Sequence, residues 1–149
     1  MGTEVNDLVK LFLSILHMFS VIEKKPWDFG TGSKVYLVEI QTVSVIGEHP
    51  DINMTQLADM MCVTRGAISQ TVRKLVAKRL VIRTNNRNQK EINLGLTEFG
   101  QTVSKAYQSR MQEVFTFADE LYASATPAER DLVNRLFLQI HRNMKNRIQ

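Results

Sequence analysis

The chain has 149 residues, 44% of them apolar and 23% charged, with a formal net charge of +4. That is an ordinary soluble, globular composition, long enough for one domain with a real core or for two small lobes. A single cysteine, Cys62, excludes an internal disulfide and makes a reducing cytoplasm the simplest compartment.

Residues 4–23 read as a helix that is apolar almost all round, with Leu8, Leu11, Phe12, Ile15, Leu16, Phe19 and Ile22 among its members. Such a helix is buried on most sides. One small domain rarely encloses a terminal helix, so a partner chain is expected to help cover it. The apolar part of the helix, Leu8–Ile22, is interrupted by Lys10, Ser14, His17 and Ser20 and is shorter than the roughly 20 residues of a membrane span. No basic segment or cleavage site of a leader precedes it, and no membrane association is expected. Pro26 closes the helix, 27–32 forms a loop, and Ser33 is read as the cap of a second helix. That helix runs to about Gly47, with Leu37, Ile40, Val43 and Ile46 inward.

His49-Pro50-Asp51 is a turn, and Ile52 suits a short strand. A short helix starts near Thr55, with Leu57, Ala58 and Met61 inward. Cys62-Val63 forms a tight connection, and Thr64 caps a helix over about 65–79. Leu80–Thr84 and Ile92–Leu96 read as strands. In the second, Ile92, Leu94 and Leu96 alternate inward. The Asn-rich stretch 85–89 is the tip of a hairpin. Thr97 caps a long helix to about Ser124, carrying Phe99, Val103, Tyr107, Met111, Phe115 and Leu121 at helical spacing. Thr126-Pro127-Ala128-Glu129 is a helix start with a capping box. The last helix carries Leu132, Val133, Leu136, Phe137, Ile140 and Met144. The fold class expected is mainly α with a small β-hairpin: a winged helix-turn-helix lobe plus a helical dimerisation lobe.

Charge is unevenly placed. Thr64–Lys90 holds eight basic residues and no acid, while the rest of the chain holds eleven basic and fifteen acidic residues. Such a block is an electrostatic footprint for a polyanion, although a solvated charged surface has the same composition. Within it, Ile68, Val72 and Leu75 form one buried stripe of a helix. The opposite face carries Arg65, Gly66, Ser69, Gln70, Arg73 and Lys74. Arginine can bond guanine through two donors, glutamine can bond adenine, and serine reaches base edges or phosphates. Glycine is unfavourable inside a helix, so Gly66 suggests a close approach to DNA at the helix start. The first helical turn, where that penalty is smaller, is the plainer explanation. Arg83, Arg87 and Lys90 surround the hairpin and suit the adjacent minor groove. With Thr64, these residues are the candidate contacts to double-stranded DNA.

The runs Met54-Thr55-Gln56-Leu57-Ala58, Val63-Thr64-Arg65-Gly66-Ala67-Ile68-Ser69, Lys78-Arg79-Leu80-Val81 and Leu96-Thr97-Glu98-Phe99-Gly100 resemble those of the MarR family of bacterial and archaeal regulators. The resemblance follows the whole chain in helix order. It implies one MarR-like domain over 1–149, with a winged lobe at 34–100 and dimerisation helices at 1–32 and 101–149. It also implies a homodimer gripping a pseudopalindromic operator, repression, and release by a small aromatic effector bound between the lobes. His17, Trp27 and Tyr36 stand where that pocket would form, and plain packing explains them as well. The sequence departs from the family at the wing, where Asn88 and Lys90 occupy the usual Asp-x-Arg positions. A lysine there is a point charge and not a planar fork.

Catalytic chemistry is not expected. No nucleophile–base set stands out, and Gly30-Thr31-Gly32 is too short for a phosphate loop and follows no strand. His17, His49 and His141 are widely separated, so neither a metal nor another cofactor is expected. Cys62 reads as a structural thiol, and Met54, Met60 and Met61 as core filler. The alternative reading is a winged-helix protein-interaction module without DNA binding.

Overall fold

A computed structural model describes residues 2–29, 34–85 and 92–148. The elements run α1 (Gly2–Glu23), α2 (Leu37–Glu48), α3 (Met54–Met60), α4 (Arg65–Ala77), β1 (Val81–Asn85), β2 (Ile92–Leu96), α5 (Glu98–Ser124) and α6 (Pro127–Ile148). The mainly α architecture with one antiparallel hairpin is the expected one.

The core gathers on α2. Its Ile40, Val43 and Ile46 pack with Leu57 of α3, with Ile68, Val72 and Leu75 of α4, and with Leu80, Val81, Leu94 and Val103. The stripe read from α4 is the buried set of that helix. β1 pairs with β2 from Val81 opposite Leu96 to Asn85 opposite Ile92. Ile52 contributes one backbone contact to this sheet, accepting the Leu94 N–H at 2.9 Å.

Two local expectations are corrected, at the start of the second helix and along β2. The second helix starts at Leu37, because Val35 is extended and exchanges two backbone hydrogen bonds with Trp27. The cap position is Tyr36, whose N–H donates to the Glu39 carboxylate at 2.9 Å; Ser33 lies outside the described residues. The third helix is capped by Asn53, whose side chain accepts the N–H groups of Thr55 and Gln56. On β2 the alternation fails: Ile92 is exposed, and Asn93 and Leu94 are buried. Ile92 pairs with Asn85 at the turn end of the hairpin, whereas Asn93 bridges to Asn53 at the start of α3.

Both helices of the helix-turn-helix end in the same way. After α3, Cys62 N–H donates to Asp59 O and Val63 N–H to Ala58 O. After α4, Arg79 N–H donates to Val76 O and Leu80 N–H to Leu75 O. These are Schellman closures, which need a left-handed residue. Cys62 (φ 54°) and Arg79 (φ 57°) supply it without glycine.

α1 is not enclosed by its own chain. Leu8, Leu11, Ile15 and Phe19 are exposed, as are Phe117 and Leu121 of α5 and Leu136 and Phe137 of α6. The stretch Glu4–Ile22 has a mean hydropathy of 1.6, and by length and composition alone it could cross a bilayer. Lys10, paired with Asp7 at 3.1 Å, interrupts it.

Candidate nucleic-acid interface

α4 is set for display by its two ends. At its start, the Thr64 hydroxyl accepts the Ala67 N–H at 3.2 Å. At its end, Lys78 reaches back to α2. Its Nζ donates to both carboxylate oxygens of Glu39, at 2.7 and 2.6 Å, and to Lys34 O at 2.7 Å. Glu39 is buried, and the Tyr36 ring centroid lies 5.7 Å from the same ammonium. Lys78 therefore serves the fold, although in the sequence it counts among the eight cations of the basic block.

The outward face of α4 holds Arg65, Gly66, Gln70, Arg73 and Lys74, all exposed, with Ser69 half-buried beside them. Arg65, Arg73 and Lys74 have no acidic partner among the described residues, and the same is true of Arg83 on β1. Arg65, Gly66 and Ser69 share one depression of about 420 Å3 with Arg83 and with the apolar Met54 and Ile92. The structure thus brings together the start of α4 and the turn-side half of the hairpin. Arg87 and Lys90 lie outside the described residues.

Gly66 faces open space. A Cβ built there meets nothing nearer than the Thr64 hydroxyl oxygen at 4.0 Å. No packing inside the chain calls for glycine at this position. Gly100 is the opposite case, since a Cβ there would land on the Leu80 carbonyl oxygen. Thr97 fastens the same junction. Its hydroxyl donates to Arg79 O at 2.6 Å and accepts from Gly100 N–H at 2.9 Å, and its own N–H donates to Leu80 O at 3.1 Å. The Thr97-Glu98-Phe99-Gly100 motif is therefore a clasp between the end of α4, the hairpin and α5. Sequence reasoning found Thr97 as a helix cap but missed its second role, and it missed Glu39 altogether. An acid in the first turn of the helix, flanked by Leu37, Val38 and Ile40, was the available signal.

Among the described residues, the candidate effector residues meet different neighbours. Trp27 is half-buried, stacked on Phe29 at 6.3 Å, edge-on to Tyr107 at 6.0 Å and covered by the Arg110 guanidinium at 4.6 Å. Tyr36 faces Lys78, and His17 is exposed on α1. Cys62 is half-buried, with its sulfur 4.0 Å from His141 Nε2. Among the described residues, no group of three or more His, Cys, Asp or Glu side chains is placed to hold a metal.

Comparison with known proteins agrees with this geometry. Residues 36–90 match the MarR family. An uncharacterised HTH-type transcriptional regulator of Bacillus subtilis (strain 168), YhjH, is 27% identical over 87% of this chain and 77% of its own length. Among solved structures, Streptococcus pneumoniae FabT in complex with DNA superposes with a TM-score of 0.70 at 14% identity, covering 98% of this chain and 99% of FabT. Lactococcus lactis ZitR in complex with DNA superposes with a TM-score of 0.72 at 14% identity, covering 96% of this chain and 99% of ZitR.

Proposed function

We propose that this chain is a member of the MarR family of winged helix-turn-helix transcriptional regulators, supported by the match of residues 36–90, and that it is a homodimeric, cytoplasmic repressor that grips a pseudopalindromic operator in double-stranded DNA. The observation that carries the reading is the basic face of α4 beside Arg83, which has no acidic partner among the described residues. Gln70, Arg73, Ser69 and Arg65 contact bases and phosphates in the major groove, with Thr64, Gly66 and Lys74 at its walls. Arg83, Arg87 and Lys90 extend the contact toward the minor groove. Residues 34–100 form the reading lobe, and 1–32 with 101–149 form the dimerisation helices. The exposed apolar side chains of α1, α5 and α6 support a second copy as their cover, since monomers rarely expose large contiguous apolar patches. A particle of twice the chain mass in light scattering is expected, without detergent and in the soluble cell fraction.

The test is a fluorescence titration of duplexes from the protein's own promoter region. Affinity falls steeply as salt rises, because bound phosphates release counterions. Arg73→Ala weakens specific binding by about 1–3 kcal/mol. Salt-insensitive association, or an unchanged footprint in the variant, refutes the assignment and favours a protein-interaction module. A small aromatic effector fits the same scheme by displacing Trp27 from Tyr107 and Arg110. Aromatic acids that raise the melting temperature and lower operator affinity would identify it.

A further inference from the structure

A separate cavity of about 460 Å3 lies between the C-terminal end of α2, the hairpin and the first half of α5. Its volume is within the range of small-ligand sites. Ile46, Leu94 and Leu96 make an apolar lining. The charged groups come from different walls: Lys105 from α5, and Asp51 from the turn after α2. Neither has an oppositely charged partner among the described residues. Ser104 also lines the cavity. It is 5% exposed, and its hydroxyl has no hydrogen-bond partner among the described residues. That hydroxyl is not among the buried polar atoms cut off from solvent, so it can meet a molecule in the cavity.

We propose that this cavity is a binding site for a small amphoteric molecule with an apolar middle. Its carboxylate meets Lys105 and the Ser104 hydroxyl, its amino group meets Asp51, and its hydrocarbon lies on Ile46 and Leu94. The site is distinct from the Trp27 cluster, and its occupancy does not depend on DNA. A molecule seated there touches the hairpin through Leu94 and α5 through Ser104 at once, so it braces the wing against the helix that leads to the dimerisation region.

The experiment is a titration of the 15N-labelled full chain, without DNA, with 6-aminohexanoate, hexanoate and hexylamine. Wild type, K105Q and D51N are compared. Both residues are exposed, and asparagine tolerates the left-handed backbone of position 51 (φ 63°), so the variants keep the fold. In wild type, 6-aminohexanoate moves the amide signals of Ile46, Leu94 and Ser104 saturably. It binds up to about fivefold tighter than either single-ended probe, the gain one exposed ion pair supplies. K105Q removes its advantage over hexylamine, and D51N its advantage over hexanoate. Absence of saturable shifts at these amides, equal affinity for all three probes, or indifference to both variants overturns the proposal.

Discussion

Gly66→Ala separates a DNA-reading helix from a merely solvated one, because the two properties it changes move in opposite directions. The added methyl enters open space, 4.0 Å from its nearest neighbour, so the free protein resists nothing. Replacing glycine by alanine at a compatible backbone position stabilises by about 0.4–1 kcal/mol, mainly by narrowing the unfolded ensemble. Gly66 lies in the first turn of α4, where the helix-propensity gain is smaller, so the lower half of that range is expected. Against duplex the same methyl stands between the α4 backbone and the groove wall. Displacing one good base or phosphate contact costs about 1–3 kcal/mol, a five- to 150-fold rise in Kd. Urea melts report the first quantity, and fluorescence anisotropy with a promoter duplex reports the second. A variant that melts at or above the wild-type midpoint and binds DNA as tightly would refute the reasoning, since Gly66 would then answer to nothing.

Other perturbations test the supports of that helix. Lys78→Met leaves the buried Glu39 carboxylate with only the Tyr36 N–H among its described partners, and should lower stability by about 3 kcal/mol, read as a fall in urea midpoint. A midpoint within error of wild type would show that the ion pair carries no stability. Gly100→Ala forces Leu80 and α5 apart and should cost about 3 kcal/mol despite its better helix propensity, with broadened hairpin signals in NMR spectra. Glu129 offers a pH test. Hydrogen bonds from the Thr126 hydroxyl and N–H hold its carboxyl below the usual value. A carboxylate with a lowered folded pKa contributes fully above its unfolded pKa and fades as pH falls through the lowered one. The protection factor of the Thr126 amide, its exchange rate relative to the intrinsic rate at the same pH, should therefore fall on acidification, and Glu129→Gln should abolish that dependence.

The sequence was most legible where one helix face meets one core. Ile68, Val72 and Leu75 announce the buried side of α4, and Thr64 and Thr97 announce caps, because spacing and capping are local physics. Legibility ended where a distant segment decides. Ile92 obeys strand alternation in sequence yet is exposed, since the hairpin outruns the core at that end, and Asn93 is covered only because Asn53 bridges to it. Val35 binds Trp27 across the loop and delays α2 to Leu37, which no window around Ser33 reveals. The reading of 4–23 as a buried helix needs a surface that one copy does not contain.

The same division explains how a basic block becomes a directed one. Composition assigns eight equivalent cations to Thr64–Lys90, but the fold makes them unequal. Lys78 is turned inward to Glu39, and Arg79 holds the left-handed turn and gives its carbonyl to Thr97. These two residues fix the far end of α4 to α2 and to the start of α5. Arg65, Arg73, Lys74 and Arg83 can then stand on a rigid edge with no acidic partner among the described residues. Rigidity matters because a charge held in place contributes to choosing a DNA register, whereas a mobile one contributes only to nonspecific attraction. Breaking the Lys78–Glu39 tie should accordingly lower affinity for the operator more than affinity for random duplex, although Lys78 itself touches neither.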